Sequence, residues 1–223
     1  VKGGARVWAR LQVREPCARQ IWRKSRTNGH SPDEETEAAM SAPTRQSNVR
    51  KLVILALLVA IAVVLSQLKT FPLFSSFLQY DASGAIVLLA ALLYGPVEGV
   101  IVAILVGVLR LPLAEGGGPF GIAMDVAAYL ALVIPAGLLF TRLKSRRGGQ
   151  VIALVPGIIC MVVMMIVLNL TLTPVFWHIP RPLVIQMIIP ALLPFNVLKA
   201  LANTALAFGV YEALKKSVIH QTT

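Results

Sequence analysis

The chain has 223 residues, 57% of them apolar and 14% charged, whereas soluble domains carry about a quarter charged residues. Of its 21 Lys/Arg and 10 Asp/Glu, residues 1–51 hold 11 and 5. These proportions exclude an ordinary soluble enzyme and describe a polar, basic tail followed by a membrane body. In such a protein, excess Lys/Arg reports orientation in the lipid bilayer, so no nucleic acid partner is expected.

Residues 1–39 contain no long apolar run, which excludes a signal peptide with a hydrophobic core there. Met40, followed by SAPTRQSNVRK and then an apolar run, reads as a natural start. Val1 fits an upstream start codon, a fragment or a processed chain alike. Residues 1–48 are expected to form a disordered basic tail, an annotation extension being one origin for it. Residues 49–217 are expected to form the membrane domain and 218–223 a short C-terminal tail. Within the tail, Val7–Arg26 mixes Trp8, Leu11, Val13, Ile21 and Trp22 with basic residues, a composition open to either a solvated segment or one lying on an anionic surface.

Leu52–Leu68 is long and apolar enough to be the first span. Gly84–Leu109 is apolar apart from Glu98 and the Tyr94 hydroxyl, but Gly95-Pro96 interrupts it, leaving one kinked helix or two short ones. Gly121–Leu143, Val151–Thr173 and Ile188–Leu214 complete the set. Charge settles the count. With Arg45, Arg50 and Lys51 inside, only two helices within 84–109 place both Arg142–Arg147 and Lys215-Lys216 on the cytoplasmic side. The expected fold is therefore all-α, a polytopic six-helix transmembrane bundle with both termini cytoplasmic. The outer loops, 69–83, 111–120 and 174–187, carry Phe71, Phe74, Phe77, Tyr80, Asp81, Trp177, His178 and Arg181. These suit an interfacial belt or a cover over an outward pocket.

Catalytic and metal motifs are missing. There is no GxxxxGK[ST] loop, no HExxH, no GxSxG, and no spaced carboxylate pair within a span, so no catalytic residue and no metal site are assigned. Gly116-x-Gly118-x-x-Gly121 matches a dinucleotide fingerprint only formally, because no strand precedes it and Pro119 lies inside it. Cys17 and Cys160 form no CxxC and support no zinc site or disulfide framework.

Polar residues inside the later spans are more informative. Asn196, Lys199 and Asn203 follow i, i+3, i+7 spacing along one face of the last helix, and Asn169 sits near the outer end of the fifth. Amides supply a donor and an acceptor together and Lys supplies three donors, a set suited to a neutral, planar, multiply hydrogen-bonding ligand. Helix-to-helix hydrogen bonds for the amides and snorkelling for Lys199 are the structural alternative. Asp125 near a helix start suits the dipole there, and Arg110 at the end of the third span suits the interface. Small residues repeat every four positions at Ala56 and Ala60, and again at Gly95, Gly99, Ala103 and Gly107. Such faces admit close helix approach, internal or to another subunit.

Phe77-Leu-Gln-Tyr-Asp81, Tyr94-Gly-Pro-Val-Glu-Gly99, Gly117-Gly-Pro-Phe-Gly121, Leu168-Asn169 and Leu193-Pro-Phe-Asn-Val-Leu-Lys199 together resemble the substrate-binding S-components of energy-coupling factor (ECF) vitamin transporters, riboflavin-binding type. The resemblance spans Lys51–Lys216. It implies a subunit without catalysis of its own that captures a vitamin outside and works with a transmembrane coupling subunit and two ATPase subunits in the cell membrane of a prokaryote. It implies riboflavin as transported ligand, with no cofactor, held by Asn169, Asn196 and Lys199 and covered by the first outer loop through Leu78, Tyr80 and Asp81. It also implies docking of the coupling subunit on Ala56 and Ala60. The family's loop usually reads FLKYD, whereas Gln79 and Ala82 stand here, and Asp125 occupies a position expected to be neutral. Thiamine, pantothenate, folate and biotin are bound by other S-components on the same scaffold, and a non-transport structural subunit is the competing class.

Overall fold

The computed structural model describes residues 32–67, 70–72, 79–113, 118–143 and 148–220. Two compact units divide the chain, Val1–Val53 and Ile54–Thr223. Helix α1 (Pro32–Gln67) begins in the first unit and carries the first apolar span, Asn48–Gln67.

Beyond α1 the order is β1 (Thr70–Pro72), β2 (Gln79–Tyr80), α2 (Ser83–Tyr94), α3 (Pro96–Arg110), a 3₁₀ turn (Leu111–Leu113), α4 (Gly118–Leu143), α5 (Gly149–Phe176), α6 (Arg181–Met187), a π turn (Ile188–Leu192) and α7 (Leu193–His220). The two strands pair antiparallel, Thr70 opposite Tyr80, a small ribbon that the apolar patterning did not announce. The rest is helical, as expected from the sequence.

Among the described residues, five stretches are long and apolar enough to cross a membrane: those in α1, α3, α4 and α5, and the continuous run Arg181–Lys216; α2 is a sixth, shorter apolar helix. The break between α2 and α3 falls at Gly95, whose φ of 121° only glycine adopts readily. Its N–H still bonds the Ala91 carbonyl, closing α2, while Pro96 opens α3 where a missing N–H costs nothing. At 12 residues, α2 is about 18 Å long, well short of the roughly 30 Å hydrocarbon layer. Nine of its residues are buried, from Ser83 to Leu92. It packs against α3, α4 and α7, so a helix too short to span alone sits inside the bundle, apolar on every side.

Lipid is as apolar as leucine, so helix association within it depends on close packing and polar contacts. The α3 glycine stripe serves that end internally: a Cβ on Gly99 would meet Ala91 and Val133, one on Gly107 would meet Val126, and Ala103 is buried. Gly157 of α5 lets that helix lie against the Leu132 carbonyl and Ala136 of α4. Ala56 and Ala60 of α1 behave differently. Both are exposed, flanked by exposed Leu57 and Ile61, while Leu58, Val59 and Ala62 turn into the core.

Candidate functional site

Asp81 lies between β2 and the first turn of α2, where one carboxylate oxygen accepts the Ser83 backbone N–H at 2.6 Å. That bond fixes the entry of the ribbon into α2 and aims the second oxygen at the bundle. There it accepts the Tyr129 hydroxyl at 3.1 Å and pairs with Arg110 Nη1 at 3.1 Å. Ser83 Oγ and the Tyr129 hydroxyl are 3.0 Å apart. Arg110 Nη2 reaches Asp125 Oδ2 at 3.2 Å, and Asp125 Oδ1 accepts from Lys199 Nζ at 2.8 Å. One chain of contacts thus runs Asp81–Arg110–Asp125–Lys199, drawing on four separate elements.

Every member of this quartet is shielded, with side-chain exposures of 7% for Asp81, 4% for Arg110 and Lys199, and 18% for Asp125. Buried charge is tolerated only when paired, and two carboxylates against two cations leave the cluster formally neutral. Removing one partner from such an arrangement costs about 3–5 kcal/mol. Two expectations are corrected here. Arg110 is not an interfacial anchor but a buried bridge, because Asp81 and Asp125 reach its guanidinium from neighbouring elements. Asp125 is the eighth residue of α4, beyond the first turn where a helix dipole acts, and it serves instead as the joint between Arg110 and Lys199. Lys199 does not snorkel, since its ammonium ends on Asp125 inside the bundle.

The amides take up a different task. Asn169 donates to the Met165 carbonyl at 2.7 Å and accepts from Thr173 at 3.3 Å. Asn196 donates to the Leu192 carbonyl at 2.7 Å. Both use their N–H within their own helix, so neither acts as a bond between helices. Asn196 lies beside the π turn, where the Leu193 N–H bonds the Ile188 carbonyl. Pro190 and Pro194 stand four residues apart across that turn, and Pro194 has no N–H to give the Pro190 carbonyl. The Asn196 side chain is buried, and its Oδ1 has no partner among the described residues. Further along the same face, Asn203 accepts the Tyr80 hydroxyl at 3.0 Å through Oδ1, while its Nδ2 and Thr204 Oγ1 have no partner among the described residues. Burial and the adjacent Asp81 carboxylate push the Tyr80 phenol up, so it stays a donor at neutral pH.

The structure therefore joins Asp81 and Lys199 in one polar network through Arg110 and Asp125, pairs Tyr80 separately with Asn203, and places Asn196 on the same face of α7. Asn169 stands apart on α5, bonded within its helix. Leu78 lies outside the described residues. Trp177, His178 and Arg181 are exposed on the turn between α5 and α6, while Phe120 stacks on Phe176 where α4 begins and α5 ends. Sequence reasoning missed Ser83, Tyr129, Thr173 and Thr204. For Tyr129 the signal was a hydroxyl inside an otherwise apolar span.

Together these features define a polytopic helical membrane protein with a buried, charge-balanced polar face on its last helix, suited to holding a small molecule. The family model "ECF transporter, substrate-specific component" matches residues 50–211, and the chain belongs to that family. It is accordingly a multi-pass membrane protein of a transporter and not an enzyme. The chain is 30% identical over 183 residues to "Riboflavin transporter FmnP" of Bacillus subtilis (strain 168), covering 78% of this chain and 96% of that protein. It is 27% identical over 171 residues to "Riboflavin transporter RibU" of Staphylococcus aureus (strain TCH60), covering 74% and 90%. Among solved structures it is similar to the S component of a bacterial ECF transporter, with a TM-score of 0.64 and 26% identity over 77% of this chain and 98% of that one.

Proposed function

We infer that this protein is the riboflavin-capturing subunit of an ATP-driven uptake transporter. The observation that carries the reading is the 30% identity to a riboflavin transporter along 96% of its length. The site supports it chemically. Riboflavin is neutral and planar, with ring carbonyls, imine nitrogens and a ring N–H. Lys199 keeps donors beyond the one given to Asp125, and Asn196 Oδ1 is a buried acceptor without a partner, so each kind of ligand group has a complement. Because Asp125 already balances Lys199, the ammonium meets a neutral acceptor better than it would need to meet an anion.

In this reading Asn169, Asn196 and Lys199 bind the ring system, and Leu78, Tyr80 and Asp81 belong to the covering loop. Residues 49–217 form the substrate-binding domain. Arg50 and Lys51 beside the first span, Arg142 in the last turn of α4 and Lys215-Lys216 near the end of α7 support cytoplasmic termini by the positive-inside rule, in a prokaryotic cell with the ligand entering from outside. Exposed Ala56 and Ala60 receive the transmembrane coupling subunit, which two ATPase subunits drive. The test is uptake of labelled riboflavin by cells auxotrophic for it. Uptake that needs this chain, the coupling subunit and intact ATPases supports the reading, and riboflavin uptake by this chain with inactivated ATPases contradicts it.

A further inference from the structure

Arg110 stands one carboxylate away from Lys199. Its Nη2 holds Asp125 Oδ2 at 3.2 Å, and the other oxygen of that carboxylate holds Lys199 Nζ at 2.8 Å. Its Nη1 holds Asp81 at 3.1 Å, and Asp81 in turn takes the hydroxyl of Tyr129, whose ring centroid is 6.0 Å from the same ammonium. A carboxylate with both oxygens engaged cannot rotate, so the direction of Asp125 Oδ1, and with it the direction of the free Lys199 donors, is set from α3. The planar guanidinium is what makes this possible, since its Nη2 hydrogen-bonds Asp125 while its Nη1 meets Asp81 as an ion pair without hydrogen-bond alignment. A lysine ammonium offers the same charge from a single point.

We propose that Arg110 is a positioning residue for ligand capture, aligning the Lys199 ammonium through Asp125 with Asp81 as its second anchor. The proposal rests on the riboflavin reading above and adds a residue to it from outside the ring-binding set. It predicts that charge alone at position 110 is insufficient.

The experiment is riboflavin titration of the detergent-purified full chain by flavin fluorescence quenching, with thermal unfolding recorded in parallel. Arg110→Lys keeps the charge and loses the fork; it should bind riboflavin about tenfold or more weakly. Arg110→Gln/Asp81→Asn keeps the cluster neutral with the Asp125–Lys199 pair intact; it should melt close to the wild type and bind about tenfold or more weakly than Asp81→Asn alone, the comparison that removes the covering-loop share of Asp81. In a Lys199→Met background, Arg110→Lys should change affinity no further, because the group it positions is gone. Wild-type affinity in either Arg110 variant overturns the proposal, as does an equal loss with and without Lys199, which would mark Arg110 as purely structural. If Arg110→Lys does not fold, the neutral double variant decides by its comparison with Asp81→Asn. A wild-type chain that binds no riboflavin refutes the ligand reading instead, and this proposal falls with it.

Discussion

Replacing Lys199 by Met, similar in length and uncharged, probes both roles of the quartet. The substitution leaves Asp81 and Asp125 facing Arg110 alone, one negative charge in excess within a cluster whose members are at most 18% exposed. Breaking a buried pair in this way costs about 3–5 kcal/mol, and at roughly 2–4 °C per kcal/mol for a chain of this size the midpoint falls by about 6–20 °C. Adding Asp125→Asn restores neutrality, leaving the Asp81–Arg110 pair, and should recover most of that loss. Binding should not recover: a lost charged donor costs about 1.5–3 kcal/mol, or roughly 10- to 150-fold in Kd. Thermal unfolding and riboflavin titration of both variants separate the two effects. A single variant as stable as the wild type refutes the buried quartet, and a double variant with wild-type affinity refutes Lys199 as a ligand contact.

Four further outcomes follow from the geometry. Asn196→Ala should weaken riboflavin binding by about 1–3 kcal/mol through loss of its unpartnered acceptor, measured by the same titration; unchanged affinity removes it from the site. Ala56→Trp or Ala60→Trp should abolish ATP-dependent uptake while leaving ligand affinity intact, since both residues are exposed on α1, and loss of binding in these variants would place that face inside the bundle. Gly157→Ala should destabilise by about 1–3 kcal/mol, because its Cβ would lie 2.5 Å from the Leu132 carbonyl oxygen. Gly209→Ala, which meets nothing within 4 Å, should be neutral or stabilising by up to about 1 kcal/mol, as unfolding midpoints would show.

The membrane architecture was legible because the bilayer imposes length and charge rules on the chain. Gly95-Pro96 and the cluster after Arg142 were enough to divide 84–109 into two helices, and the structure breaks at Gly95. The polar face of α7 was legible from i, i+3, i+7 spacing, which places side chains on one stripe whatever the surroundings. The destination of those side chains was not. Arg110, Asp81 and Asp125 lie on different elements, and no local spacing encodes their meeting. An arginine ending an apolar helix reads as interfacial until two carboxylates are seen to enclose it. The available signal was that Arg110, Asp125 and Lys199 are ionisable groups inside largely apolar spans, where a charge needs a partner. The π turn had one as well, in prolines at 190 and 194, four residues apart across the helix ladder. The direction of the small-residue stripes stayed open for the same reason: spacing defines a face but not its neighbour, and only packing turned the α3 stripe inward and left that of α1 outside.

The account centres on capture of riboflavin by this chain alone, before any partner acts. Purification in detergent followed by an absorbance spectrum and fluorescence titration with riboflavin, thiamine and pantothenate tests this most directly. A co-purifying flavin spectrum, or saturable submicromolar quenching of riboflavin that thiamine and pantothenate do not compete away, is the predicted result. Tight binding of another vitamin with none of riboflavin would contradict the substrate assignment while keeping the transporter, and silence across all three would contradict ligand capture itself.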